Sequence, residues 1–234
     1  MSSRHVCRAV AWVVVALSVV GLGCNPTERT PPDGANRPNV LFISVDDLND
    51  WIEPLGGHPQ ARTPALDRFA SESVLFTRNY CASPSCNPSR TAMLTGRHTY
   101  STGVYSNYQY WREVLPDART LPQFFREHGY WAAGAGKIFH NNMPDPGSWD
   151  EYFPSKEKHM PDYFYPVPGW TVNMPPFENM YADFDWAAID LPDEQTGDYQ
   201  SVSWTIDQLQ REHDSPFFLA CGIYRPHVPW YVPR

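Results

Sequence analysis

The sequence predicts an α/β protein, a mostly parallel sheet flanked by helices. Three observations carry that expectation. Two runs, "NVLFISVDD" (39–47) and "SPFFLACGIYRPH" (215–227), are near-continuous in β-branched, aromatic and small apolar residues, the pattern of strands buried on both faces. Segments with helical spacing and capping signals alternate with the strand-like runs. Charged and imidazole side chains stand directly after those runs, at the edge where open parallel sheets bind ligands.

The first residues are read as an export signal. Arg4, His5 and Arg8 precede "AVAWVVVALSVVGL" (9–22), which is shorter than the roughly 20 residues of a membrane span and suits the apolar core of a signal peptide. "GLGC" then sets Cys24 after small residues in the manner of a bacterial lipobox, with Gly21 where Leu is usual. Residues 1–24 are therefore expected to be a lipoprotein-type signal with Cys24 as the lipid anchor. An ordinary signal peptide or an uncleaved anchor is the alternative. Each implies an exported protein, periplasmic or on the cell surface. Residues 25–38, polar and rich in Pro, read as a tether, and residues 39–234 as the folded domain.

Within that domain the first strand ends in Asp46 and Asp47. "TPALDRFASES" (63–73) offers Thr63 as N-cap, Pro64 at the first helical position, and Leu66, Phe69 and Ala70 on one face. "SVLFTRNY" (73–80) reads as a further short strand. "YCASPSCNPSRTAMLTGR" (80–97) begins as a loop and ends as a helix, with Cys86 at the start of that helix. "TLPQFFREHGY" (120–130) repeats the Thr cap and stops at Gly129. "YWAAGAGKIFH" (130–140) is a small-residue strand delivering Lys137 and His140. Between Asn141 and Tyr199 the pattern dissolves into Pro and aromatic residues, read as a rim around a site, or else as decoration away from it. "SVSWTIDQLQREHD" (201–214) is a helix with Val202, Ile206 and Leu209 at helical spacing, and the second apolar run closes with Arg225 and His227.

Composition narrows the function classes. A formal charge of −8 with no basic block argues against a general nucleic-acid binder. Outside the signal the cysteines are Cys81, Cys86 and Cys221, an odd number for an exported protein, so at least one thiol lacks an intramolecular partner. Cys221 lies in an apolar run and is expected to be buried. A Cys81–Cys86 pair remains open.

Taken singly, the polar residues have ordinary readings. The Asp46–Asp47 pair suits a turn or a helix cap, Lys137 a solvated charge, His140 and His227 loop structure, and Cys86 a packed thiol. Taken together they bring hard-oxygen ligands for Ca²⁺ or Mg²⁺, cationic and imidazole donors, and a nucleophile at a helix N-terminus to one sheet edge. Arg90, one turn on, is expected to point back at the residue on the cap. Such a site suits a tetrahedral oxyanion ester.

"CNPSRTAMLTGR" (86–97) resembles the sulfatase signature, a Cys-x-Pro-Ser-Arg core closed by Thr-Gly-Arg. "RPNVLFISVDDLNDW", "GKIFH" and "FFLACGIYRPHVPW" resemble matching blocks of the iduronate-2-sulfatase branch of that family. The resemblance implies an alkaline-phosphatase-like sulfatase fold and hydrolysis of sulfate esters, those of sulfated carbohydrates foremost. It implies that a formylglycine-generating enzyme oxidises Cys86 to Cα-formylglycine, whose hydrate acts as nucleophile. It further implies Asp46, Asp47 and the hydrated residue 86 as Ca²⁺ ligands, and Arg90 as the group holding the hydrate. Lys137 and His227 would be donors to sulfate oxygens, and His140 the partner of the hydrate hydroxyl. The family places further metal ligands and another Lys later in the chain, so this sequence reads as the front part of a sulfatase, incomplete at its C-terminus. Two alternatives stand beside it. One is a phosphoester or phosphonate hydrolase of the wider alkaline phosphatase superfamily; the other is an inactive remnant serving as a lipid-anchored binding module.

Overall fold

A strand apolar at nearly every position calls for cover on both faces; Phe217–Ile223 has it, whereas in the run Val40–Val45 Leu41 and Ile43 are exposed, so that strand is covered on one face only. The computed structural model describes residues 37–161, 172–173 and 184–234. The expected signal peptide, Cys24, tether residues 25–36 and part of the expected rim lie outside the described residues. The strands are β1 (Val40–Val45), β2 (Trp131–Gly136), β3 (Glu151–Phe153), β4 (Trp186–Ile189), β5 (Phe217–Ile223) and β6 (Trp230–Pro233). The helices are α1 (Pro64–Ser71), α2 (Cys86–Thr95), α3 (Thr99–Thr102), α4 (Trp111–Val114), α5 (Leu121–Glu127) and α6 (Gly197–Gln210).

Four strands form an all-parallel sheet in the order β1-β5-β2-β3, and β4 pairs with β6, also parallel, in a separate two-stranded sheet. This is the predicted fold class. The second apolar run lies in the middle as β5, buried from Phe217 to Gly222. On one face Phe218 and Ala220 join Phe42, Ala132, Leu121, Phe125 and Trp149 in the main core. On the other, Phe217, Leu219 and Ala133 pack under Trp204 of α6. The Thr120 capping box with Gln123 forms, and Gly129 stops the segment at φ 76°.

Several expectations need correction. Ser73–Tyr80 contains no strand; Val74 and Phe76 are more than 70% exposed, and an apolar run without a pairing partner has no ladder to join. α1 forms, but Leu66 and Phe69 are exposed. Thr63 is held instead by Glu53, which accepts from its backbone N–H at 2.6 Å while Thr63 Oγ1 accepts from that of Glu53 at 2.9 Å. α6 forms with the opposite face inward. Gly197, Ser201, Thr205 and Gln208 are buried, whereas Ile206 and Leu209 are exposed. The Gly- and Ala-rich surface of β2 lets the small face approach closely. The buried hydroxyls return their hydrogen bonds to the helix, Ser201 Oγ to Gly197 O at 2.9 Å and Thr205 Oγ1 to Ser201 O at 2.8 Å. Much of the supposed rim is core: Met143, Trp149, Tyr152, His159 and Met160 are buried, and β3 completes the sheet.

Candidate active site

Parallel pairing in register aligns the ends of three strands. Val45 pairs with Ile223 and Gly136 with Gly222, so Asp46, Lys137 and Tyr224 leave the sheet at one level. Asp46 N–H donates to Ile223 O at 3.0 Å and Lys137 N–H to Gly222 O at 2.9 Å. Glycine is required at this corner. Gly136 has φ 72°, and a Cβ there would strike the Gly222 carbonyl, while one on Gly222 would strike the Lys137 backbone.

A buried charge network fills the corner. Arg90 Nη2 lies 2.8 Å from Asp46 Oδ1, and Lys137 Nζ pairs with Asp46 Oδ2. Burial alone would raise the Asp46 pKa, but the two cations outweigh it and hold the carboxyl below its usual range. Arg90 is near enough to Cys86 for its charge to act on the thiol, but its hydrogen bonds go elsewhere. Its Nη1 donates to the carbonyls of Lys137 at 2.5 Å and Ile138 at 3.0 Å, so it fixes both the carboxylate and the turn that carries Lys137. Lys137 is 1% exposed, not a solvated charge; its Nζ stands 3.8 Å from Cys86 Sγ and 4.4 Å from the centre of the Tyr224 ring.

Cys86 is the first residue of α2, half-buried, and burial pushes its thiol pKa up. Its Sγ is 3.5 Å from His227 Nε2. His227 Nδ1 lies 2.6 Å from the Val228 carbonyl, which can only accept, so Nδ1 carries a hydrogen and, in the neutral imidazole, Nε2 turns its lone pair toward Cys86. Asp46, Cys86 and His227 bring potential metal-ligating atoms within 4.8 Å of one another. The aspartate pair splits: Asp46 is buried, while Asp47, at φ 55°, keeps an exposed side chain whose Oδ2 is 3.8 Å from His227 Nε2. His140 is half-buried near Lys137, Arg90, Asp46 and His227. Burial first, and then those cations, lower its pKa to about 4. Its Nδ1 has no partner among the described residues. Cys81, Cys86 and Cys221 are all free thiols, Cys81 exposed and Cys221 buried as expected.

Other groups that hold the site escaped the sequence reading. Asn107 Oδ1 accepts from Asn87 N–H and from Ser85 Oγ, each at 2.9 Å, and so caps the helix that presents Cys86. Asn87 is buried and donates to the Ser106 and Gln109 carbonyls. Asp198 accepts from the backbone N–H groups of Tyr224 at 2.7 Å and Arg225 at 2.9 Å, shaping the turn before His227. A loop asparagine capping a helix twenty residues away leaves no local pattern. An acidic residue beside Gly197 is a weak signal, common to helix starts. Behind that turn lies a cavity of about 620 Å³ lined by Trp51, Tyr199, Tyr224, Arg225 and Trp230, among others.

Known proteins resemble this chain over most of its length. The family model described as "Sulfatase" matches residues 38–234. A sulfatase of Formosa agariphila is 36% identical, covering 93% of this chain and 45% of that protein. Iduronate 2-sulfatase of Homo sapiens is 34% identical, covering 97% of this chain and 42% of that protein. The chain thus spans somewhat under half the length of these curated relatives. The crystal structure of a phosphonate monoester hydrolase of Agrobacterium radiobacter superposes with a TM-score of 0.61 at 24% identity, covering 85% of this chain and 43% of that one. A structure in complex with its substrate D-glucosamine-2-N,6-O-disulfate gives 0.57 at 21% identity over 82% and 35%. At those identities the structures speak for the fold.

Proposed function

The chain belongs to the sulfatase family, and from that premise we propose that it forms the nucleophile-bearing part of an exported sulfuric ester hydrolase acting on sulfated carbohydrates, similar to iduronate-2-sulfatase. One observation carries the reading. Cys86, first residue of a helix, lies 3.5 Å from a histidine and 3.8 Å from a buried lysine, beside a carboxylate held ionised by two cations.

In this reading Cys86 is converted to formylglycine, and its hydrate supplies an oxygen nucleophile that releases sulfate by returning to the aldehyde. The donor set fits a hard cation in part. Asp46 and Asp47 offer carboxylate oxygens beside Cys86 and His227, and the hydrate would add oxygen in place of sulfur. Ca²⁺ takes roughly 6–8 oxygen ligands, so further ligands or water complete its shell. Asp46 and Asp47 would hold the ion, which supplies charge stabilisation for the sulfuryl group.

The remaining residues have distinct tasks. Arg90 keeps Asp46 and the Lys137 turn in place. Lys137 donates to a sulfate oxygen, and His227 does so once its Nε2 carries a proton. His140, neutral above its low pKa of about 4, serves the hydrate hydroxyl. The aromatic cavity behind the Tyr224–Arg225 turn suits a sugar ring, which stacks on Trp51 or Trp230 through its apolar face. Export as a lipoprotein anchored at Cys24 completes the proposal.

The test is release of sulfate from a chromogenic aryl sulfate by protein co-expressed with a formylglycine-generating enzyme, with added calcium. Turnover is expected to vanish in Cys86→Ala and persist in Cys81→Ala. Faster release of phosphate from the matching aryl phosphate would favour the phosphoester reading. Release from neither, with retained binding of a sulfated oligosaccharide, would favour a binding module.

A further inference from the structure

The donor set around Cys86 contains sulfur and nitrogen as well as oxygen, and that mixture has its own metal preference. Hard Ca²⁺ seeks oxygen. Thiolate and imidazole favour Zn²⁺, which is bound tetrahedrally with Zn–S near 2.3 Å and Zn–N near 2.0–2.1 Å, distances that imply an S···N separation of about 3.5 Å. Cys86 Sγ and His227 Nε2 are 3.5 Å apart. Asp46 places a carboxylate oxygen within 4.8 Å of both. Asp47 Oδ2, on an exposed side chain 3.8 Å from His227 Nε2, is within reach as a further ligand.

A second observation points the same way. Metal-ligating histidines are held by a hydrogen bond from the other ring nitrogen, which fixes tautomer and orientation. His227 has that arrangement already, with Nδ1 on the Val228 carbonyl at 2.6 Å and its ring against Tyr224 at 4.5 Å. Arg90 and Lys137 each hold one oxygen of the Asp46 carboxylate, so a cation there takes the place of the Lys137 ammonium, which keeps its contact with the Tyr224 ring at 4.4 Å.

We propose that, while residue 86 is still a cysteine, Cys86 Sγ, His227 Nε2 and the Asp46 carboxylate form a zinc-binding site, so that the chemical state of residue 86 sets which metal the site takes. Zinc binding displaces the thiol proton to solvent. Oxidation of the residue 86 Cβ to an aldehyde by the formylglycine-generating enzyme, which supplies the oxidant and removes the sulfur, takes away the soft ligand, and hydration of the aldehyde leaves an oxygen-rich set. That second half rests on the formylglycine reading above; zinc binding by the thiol form does not.

The experiment uses the full chain expressed without a formylglycine-generating enzyme, purified metal-free with a non-thiol reductant. Zn²⁺ is titrated against a chelating dye, and Co²⁺ is followed by its thiolate charge-transfer absorption. One equivalent should bind and resist displacement by excess Ca²⁺. Cys86→Ser and His227→Ala should each weaken affinity by at least about 100-fold, the upper range for loss of a mere supporting partner, and Cys81→Ser should change nothing. The cobalt band, read on the unsubstituted chain, keeps the test valid if a variant fails to fold. Equal zinc affinity with and without Cys86, or cobalt bound without a thiolate band, would overturn the proposal. Failure of sulfate-ester turnover by the converted protein would bear on the proposed activity and leave the zinc result standing.

Discussion

His227 Nε2 lies 3.5 Å from Cys86 Sγ across 141 residues of sequence. That contact exists because β1, β5 and β2 run parallel in register and end at one level, bringing a helix start and a post-strand turn face to face. Each part of the arrangement has a measurable consequence.

Arg90 joins Asp46 to two carbonyls of the Lys137 turn with almost no exposure. Removing one partner of a buried ion pair typically costs about 3–5 kcal/mol. Arg90→Ala should therefore lower the unfolding free energy in urea by about that amount. Arg90→Lys, which lacks the planar fork, should recover only part of it. A loss below about 1 kcal/mol would place the guanidinium in water and contradict this network.

Asn107 caps α2 from a distant loop. Asn107→Ala should cost about 1 kcal/mol, the usual cost of losing a cap. It should also change the rate at which a thiol reagent modifies Cys86, with exposed Cys81 as the internal reference. An unchanged ratio of the two rates would mean that the cap does not position Cys86.

Asp198 holds two backbone donors of the turn before His227. Asp198→Ala leaves both N–H groups without that acceptor, and a lost charged hydrogen bond is worth about 1.5–3 kcal/mol. The variant should lose stability in that range, and the His227 imidazole signals in NMR should broaden or shift. Unmoved signals would show that the turn holds without Asp198.

His159 is buried against Tyr152, and burial lowers its pKa to about 4 from 6.5. Between those values the unfolded chain binds a proton that the folded one refuses. Its contribution is therefore complete above about pH 6.5 and is lost as pH falls toward 4. Stability should fall by about 1.4 kcal/mol per pH unit from this group inside that window. His159→Phe should flatten the slope by one proton. A slope identical to that of the unsubstituted chain would refute the assignment.

The parallel sheet was legible because β2 and β5 carry their burial in uninterrupted apolar or small-residue runs, β1 is equally apolar although its Leu41 and Ile43 are exposed, and each run ends in polar residues. Asp46, Lys137 and His227 could be named from that pattern, and Cys86 from its place at a helix start before Pro88, Ser89 and Arg90. What it concealed follows from two causes. Side-chain volume does not reveal direction: Val202, Ile206 and Leu209 share helical spacing in α6, yet Ser201 and Thr205 are the residues buried, and Ile206 and Leu209 are exposed. Long-range polar contacts leave no local period, so the Asn107 cap, the Asp198 clamp and the engagement of Arg90 with the Lys137 turn were invisible. The aromatic segment after Asn141 misled separately, since Met143 and Trp149 build core from chain outside the strands, and Tyr152 does so from β3, a strand of three residues too short to show a pattern.

The central claim is that Cys86 is the residue converted for chemistry. Its most direct test is mass spectrometry of the tryptic peptide covering residues 79–90, from protein made with and without a formylglycine-generating enzyme, before and after treatment with an aldehyde-specific hydroxylamine probe. The account predicts an aldehyde at residue 86 only when that enzyme is present, with Cys81 in the same peptide still a thiol. A peptide that keeps both thiols, or one joined by a Cys81–Cys86 disulfide in the native protein, would contradict it.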